Sequence, residues 1–226
     1  MSQRSRCAHA GIAAVSAAVA FAVAGPARAG NASVSGLVDL RYQSDLGGDG
    51  ALENALTAGL RARALPGRRL TTCLGLDARG GAGAGGALYA AEVYPIGIGL
   101  RHGRTSQIGL CAGVGLAGAS GGAVPFAWTF PLELHWEGTG AFAIVRPLLV
   151  ARASRTAGAV AREDGSELLP IADELHLAAG LRVFLPQEPL PGLATGDGVF
   201  LGITYDEALG ARILGVAIGY GFAAGS

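Results

Sequence analysis

Two histidines in this chain stand two residues after a glutamate: His135 after Glu133, and His176 after Glu174. A carboxylate that orients an imidazole is the arrangement a general base needs. The chemistry it would serve is proton transfer in a hydrolysis. Carboxylates and imidazoles are also ordinary filler for a polar lumen, so a non-catalytic reading stands beside the catalytic one. Gly118-Ala119-Ser120-Gly121-Gly122 matches G-x-S-x-G, but a nucleophile elbow needs a strand-to-helix turn in an α/β sheet, and none is visible. Ser120 reads as a turn residue. Gly81 to Gly86 matches G-x-G-x-x-G, yet no helix follows and the next acid after Glu92 is Glu133. In a chain with 38 glycines the match is chance.

All 17 basic residues are arginine, which removes Schiff-base chemistry and the lysine of a phosphate-binding loop. The mature chain has three His and two Cys, dispersed along the sequence, so no metal-ligand cluster and no cofactor are expected. Cys73 and Cys111 could pair in an oxidising compartment or stand as two small buried residues, and the second reading leads. Asp197, Asp206 and Glu207 read as turn acids.

Residues 1–29 read as a cleaved Sec-type signal, with Arg4 and Arg6 ahead of an apolar run from Gly11 to Ala24 and Ala27-Arg28-Ala29 at its end. Residues 30–226 then form one domain. Loss of Arg4, Arg6 and Arg28 leaves 14 Arg against 17 acidic residues, which argues against nucleic-acid binding.

The elements that must position these side chains are strands. From Val124 to Trp136 every second residue is large and apolar, including Phe126, Trp128, Phe130 and Trp136, while Pro, Ala, Thr, Glu133 and His135 alternate with them. A period of two marks a strand whose faces see different surroundings. The same alternation recurs about ten times, separated by turns, with the short connections at Pro66, His102 and Glu137 on one side. The polar stretches 43–54, 79–87 and 153–173 read as longer loops on the other side, the asymmetry of a barrel whose N-terminus is periplasmic. Pro95 offers a bulge that would reset the phase of a strand whose Glu92 shares parity with Ile96 and Ile98. If one blurred segment is a loop, eight strands are possible.

A spanning sheet must close, because hydrocarbon cannot satisfy a bare edge. The expected fold is therefore all-β, a closed antiparallel up-and-down transmembrane β-barrel. Its polar parity would place Asp39, Arg41, Arg61, Arg63, Asp77, Glu133, Glu174 and Arg182 in the lumen, paired across it. Its apolar parity would place Phe126, Trp128, Phe130, Trp136, Tyr220 and Phe222 against lipid.

With Gly215, Ile218 and Tyr220 spaced along the last strand, and Phe222 beyond them, the chain resembles small outer-membrane β-barrel proteins of Gram-negative bacteria over roughly residues 32–222. The resemblance implies an outer-membrane location, contact with outer-membrane lipid and recognition by the barrel-assembly machinery. It leaves three functions open: a narrow pore or structural and surface-interaction protein without catalysis, a rim-active hydrolase of lipid or peptide bonds such as some resembling barrels are, and a soluble secreted lipocalin-like binder.

Overall fold

A computed structural model describes residues 32–45, 54–66, 69–83, 86–102, 106–119, 126–138, 145–162, 165–184, 194–208 and 211–225. The expected signal at residues 1–29 and residues 185–193 lie outside them. The described residues form strands throughout: β1 (Ala32–Asp45), β2 (Ala55–Pro66), β3 (Leu70–Thr72), β4 (Leu74–Gly83), β5 (Gly86–His102), β6 (Ser106–Ala119), β7 (Ala127–Glu137), β8 (Val145–Arg162), β9 (Gly165–Phe184), β10 (Ala194–Ala208) and β11 (Ala211–Gly225). β3 and β4 run as one ribbon along β5, interrupted only at Cys73, whose amide still donates to the Gly97 carbonyl at 3.1 Å. Ten staves result.

Neighbours in sequence pair antiparallel, and β1 pairs with β11 from Ser33↔Gly225 to Asp45↔Ile213. With β5 also paired to β6, the sheet has no seam. Closure follows from strand chemistry: each ribbon is too apolar on one face to leave its backbone edge wet or bare.

The alternation translates directly into an outside and an inside. In β7, Phe130, Leu132 and Leu134 are exposed, while Thr129, Glu133 and His135 are buried between them. Trp128 is 40% exposed and Ile218 55%, on opposite arcs of the barrel, so the apolar belt runs right round. Val34 is an exception, sharing the outward parity of Val38 and Leu40 yet only 3% exposed. A polar, buried interior inside an apolar, exposed surface inverts the arrangement of a soluble lipocalin, and such a surface is stable in hydrocarbon rather than in water. Placing a charge on it is the direct check. Ile218→Arg, near the middle of β11, is expected to cost about 2–4 kcal/mol in urea unfolding from lipid vesicles. In a water-exposed barrel the same change would stay within about 0.5 kcal/mol.

The register of β5 shifts between Val93 and Ile96, at Pro95, as its broken parity requires. Glu92 and Tyr94 therefore point inward before the shift, while Ile96, Ile98 and Leu100 point outward after it.

Two expected loops are strands instead. The glycine-rich stretch is strand as far as it is described: β4 continues to Gly83, which pairs with Gly86, and Gly81 shares the inward parity of Asp77 while Gly80 is exposed. Gly86 takes a positive φ of 115°, which a side chain would resist. The charged stretch 153–173 is likewise a hairpin, with β8 and β9 paired out to Arg162↔Gly165. Its charges mark a strand that has left the apolar belt, not an irregular chain. Among the described residues β9 pairs with β10 only from Leu175 onward, while on its other side β8 stays paired with β7 out to Gly158. At about 3.3 Å per residue the edge of β9 before Leu175 is roughly 30 Å long.

Candidate functional site

The interior is filled by a charged network at mid-height and by apolar side chains around it. Arg63 is the hub. Its Nε and Nη2 donate to Glu133 at 2.9 and 2.8 Å, and its Nη1 and Nη2 donate to Asp77, both at 2.9 Å. Arg61, on the same face of β2, reaches Glu133 at 3.1 Å and Asp77 at 3.5 Å. Because β2 and β7 lie nearly opposite, the Arg–Glu133 pairs cross the lumen. The planar guanidinium fork fits two carboxylates at once, and its face stacks on the Tyr94 ring at 4.2 Å. Gly75 makes room: a Cβ there would collide with the Arg63 side chain.

A second cluster gathers on Glu92. Tyr94 Oη donates to it at 2.9 Å and Thr129 Oγ1 at 3.2 Å, and Arg152 forms an ion pair with it from β8. Asp39 pairs with Arg41 along β1. Gln107 ties β6 to Ser35 on β1 at 3.0 Å and to Glu137 at 3.2 Å. Towards the other end, His176 Nδ1 meets Asp206, and Gln43 donates to the same carboxylate at 2.9 Å.

Apolar packing completes the plug. Leu37, Leu148, Val150, Phe200 and Ala217 form one buried cluster, and Leu65, Cys73, Tyr94 and Cys111 another. Cys73 and Cys111 are joined by a disulfide, their Cα atoms 5.6 Å apart. The leading expectation of two separate buried thiols is thus corrected: the break after β3 turns Cys73 inward beside β6. The gap lined by Asp39, Arg41, Asp77, Arg79, Glu92 and Arg152 holds about 40 Å³, and one beside His135 and Glu137 about 20 Å³. Each has room for one or a few waters.

Of the residues singled out from the sequence, Asp39, Arg41, Arg61, Arg63, Asp77, Glu133, His135 and His176 lie inside the barrel. Phe126, Trp128, Phe130 and Tyr220 lie outside, and Trp136 is half-buried on the same outer face. The side chains of Glu174, Arg182 and Phe222 fall outside the described residues. Of the two Glu–His pairs, only Glu133 and His135 have both side chains among the described residues. Glu133 spends its oxygens on the two arginines and stands 4.0 Å from His135 Nδ1. The carboxylate on His176 is Asp206, from the neighbouring strand. Asp206 is therefore a lumen residue of β10 rather than a turn acid, and its register with His176 was beyond any single-strand pattern. Glu92, Tyr94 and Arg152 were also missed as lumen partners. The bulge at Pro95 hid the phase of the first two, and the apolar lumen residues Leu148 and Val150 blurred the strand that carries the third.

One further grouping departs from expectation. Cys73, Cys111 and His135, far apart in sequence, bring their donor atoms within 4.8 Å of one another. The dispersal of His and Cys along the chain says nothing about a closed sheet, which folds distant strands onto one axis.

No family model and no curated protein matches the chain. Solved structures it is similar to are outer-membrane β-barrel proteins. The β-domain of the Bordetella autotransporter BrkA is 12% identical over 84% of this chain and 98% of that one, with a TM-score of 0.46. Neisserial surface protein A is 9% identical over 86% and 97%, with a TM-score of 0.38. The N-terminal β-barrel domain of Pseudomonas aeruginosa OprF is 11% identical over 84% and 96%, with a TM-score of 0.37. No residue role is carried over from any of them.

Proposed function

We propose that this chain is an exported, integral outer-membrane barrel with a closed interior, whose work is done at its surface and not by transport or catalysis. The observation that carries this reading is the Arg61–Arg63–Asp77–Glu133 network, which spans the lumen with Glu133 fully buried. A solute would have to break several charge-assisted hydrogen bonds in a water-poor interior, where an orphaned charge costs several kcal/mol. The 40 Å³ gap beside the network is far below the few hundred Å³ of an ordinary ligand pocket.

The surface role rests on the β8–β9 hairpin, which continues as paired strands past both neighbours. With the N-terminus in the periplasm, that hairpin stands on the outside of the cell. Its β9 edge before Leu175 has no strand partner on the β10 side among the described residues, and such an edge can take a partner strand.

Planar-bilayer recording is the test. Purified protein is expected to give no discrete conductance steps at either polarity. Regular steps from the unmodified protein would replace this reading with that of a narrow pore.

A further inference from the structure

We propose that Cys73, Cys111 and His135 form a binding site for a thiolate-seeking, closed-shell d10 cation, Zn(II) or Cu(I), which occupies the same position as the disulfide when the two sulfurs are reduced. The donors are already assembled. The Cys111 sulfur lies 3.8 Å from His135 Nδ1, and the three ligand atoms all fall within 4.8 Å of each other. An ion with bonds of about 2.3 Å to sulfur and 2.0–2.1 Å to nitrogen needs a sulfur–nitrogen separation close to that of Cys111 and His135, and it needs the two sulfurs, bonded to each other in the oxidised form, to move apart once reduced.

The surroundings point to a ligand rather than to a chance contact. His135 is 3% exposed, and its Nε2 has no hydrogen-bond partner among the described residues. The nitrogen turned to the sulfurs is the other one, Nδ1, which lies 3.8 Å from the Cys111 sulfur and 4.0 Å from Glu133. Glu133 does not compensate, because Arg61 and Arg63 hold its carboxylate. Gly109, directly across the ladder, leaves the ring its place: a Cβ there would meet the imidazole. Leu65 and Tyr94 line the sulfurs with apolar surface, and soft ligands in such a shell select Zn(II) and Cu(I) over hard cations. The small gap bordered by His135 and Glu137, at the short-turn end of β7, touches the imidazole.

The chemistry balances with a phosphine as reductant. The S–S bond takes two electrons from phosphorus, water supplies the oxygen of the phosphine oxide, and two thiols form. Binding of the ion then releases both thiol protons to the buffer while His135 ligates as the neutral ring.

The full chain, reduced by phosphine in urea and refolded into detergent with Zn(II), Cu(I) or Co(II) as a spectroscopic stand-in, is expected to retain one ion per barrel. The Co(II) form should show a thiolate-to-metal charge-transfer band, and Zn(II) should protect Cys73 and Cys111 from alkylation. The oxidised protein should retain none. His135→Ala and His135→Asn, each checked for heat-modifiable migration, should weaken retention at least about a hundredfold. Reduced, folded protein that takes up no ion overturns the proposal, as does uptake unchanged in a folded His135 variant. If neither variant folds, alkylation of the wild type decides: thiols equally reactive with and without Zn(II) sink the site.

Discussion

Glu133→Ala is expected to lower the stability of the barrel by about 3–5 kcal/mol, the largest effect of any single change in the lumen. The reason is not the loss of one attraction. Glu133 is the shared acceptor for Arg61 and Arg63, and its own exposure is 0%. Removing it leaves two guanidinium groups on the one carboxylate of Asp77, which Arg63 already engages with both nitrogens. Two like charges then share an interior with little water to screen them, and the deleted side chain leaves a cavity. Glu133→Gln keeps the volume and one acceptor, so it should cost less than the alanine.

A double-mutant cycle separates the network from simple packing. Arg63→Met removes one of the cations that Glu133 neutralises, so the double variant Arg63→Met/Glu133→Gln should be more stable than the sum of the two single losses predicts. A coupling of about 0.5–3 kcal/mol is the range for residues in one ion-pair network. The measurement is urea unfolding from lipid vesicles, read by Trp128 fluorescence and by heat-modifiable migration. Additive losses would mean that the arginines and Glu133 merely fill space.

How far the chain announces this arrangement depends on which question is asked of it. Parity in β7 separates Trp128 and Phe130 from Thr129 and Glu133 without any knowledge of neighbours, because lipid and lumen impose opposite chemistry on alternate residues. Parity cannot say that Glu133 meets Arg63, since that contact joins strands 70 residues apart in the chain. It fails again where the lumen itself is apolar. Leu148 and Val150 point inward beside outward Leu149, so the period of two vanishes from hydropathy although it persists in the structure. Glycine misleads in the other direction. The residues at 80–83 carry the composition of a loop, yet Gly81 and Gly83 share the inward parity of Asp77, where a narrow barrel favours small residues, and the strand runs on. The charged β8–β9 hairpin was read as a loop for a related reason, because outside the bilayer nothing selects apolar residues for a strand's outer face.

The bridge between Cys73 and Cys111 should be the second large contributor: the double variant Cys73→Ala/Cys111→Ala is expected to lose about 3–4 kcal/mol. The two cysteines are 38 residues apart, and a loop of that size, closed in the unfolded chain, removes about this much conformational freedom in the chain-entropy account. Local geometry adds a reason for expecting the full amount. β4 and β6 both pair with β5, so the disulfide clamps the two neighbours of that strand together across its inner face. Gly97 of β5 lies beneath it, where a Cβ would meet Cys73 Cβ and the Cys111 backbone. The ladder is also interrupted here: Cys73 breaks the β3–β4 ribbon, and β5 shifts register at Pro95 close by. A covalent tie is placed where backbone pairing is least continuous. Urea midpoints in vesicles, with and without reductant through unfolding and refolding, give the comparison. The reductant should lower the wild-type midpoint to that of the double variant and leave the variant unmoved. A wild-type midpoint indifferent to reduction would show that the lumen ion pairs alone hold this wall of the barrel together.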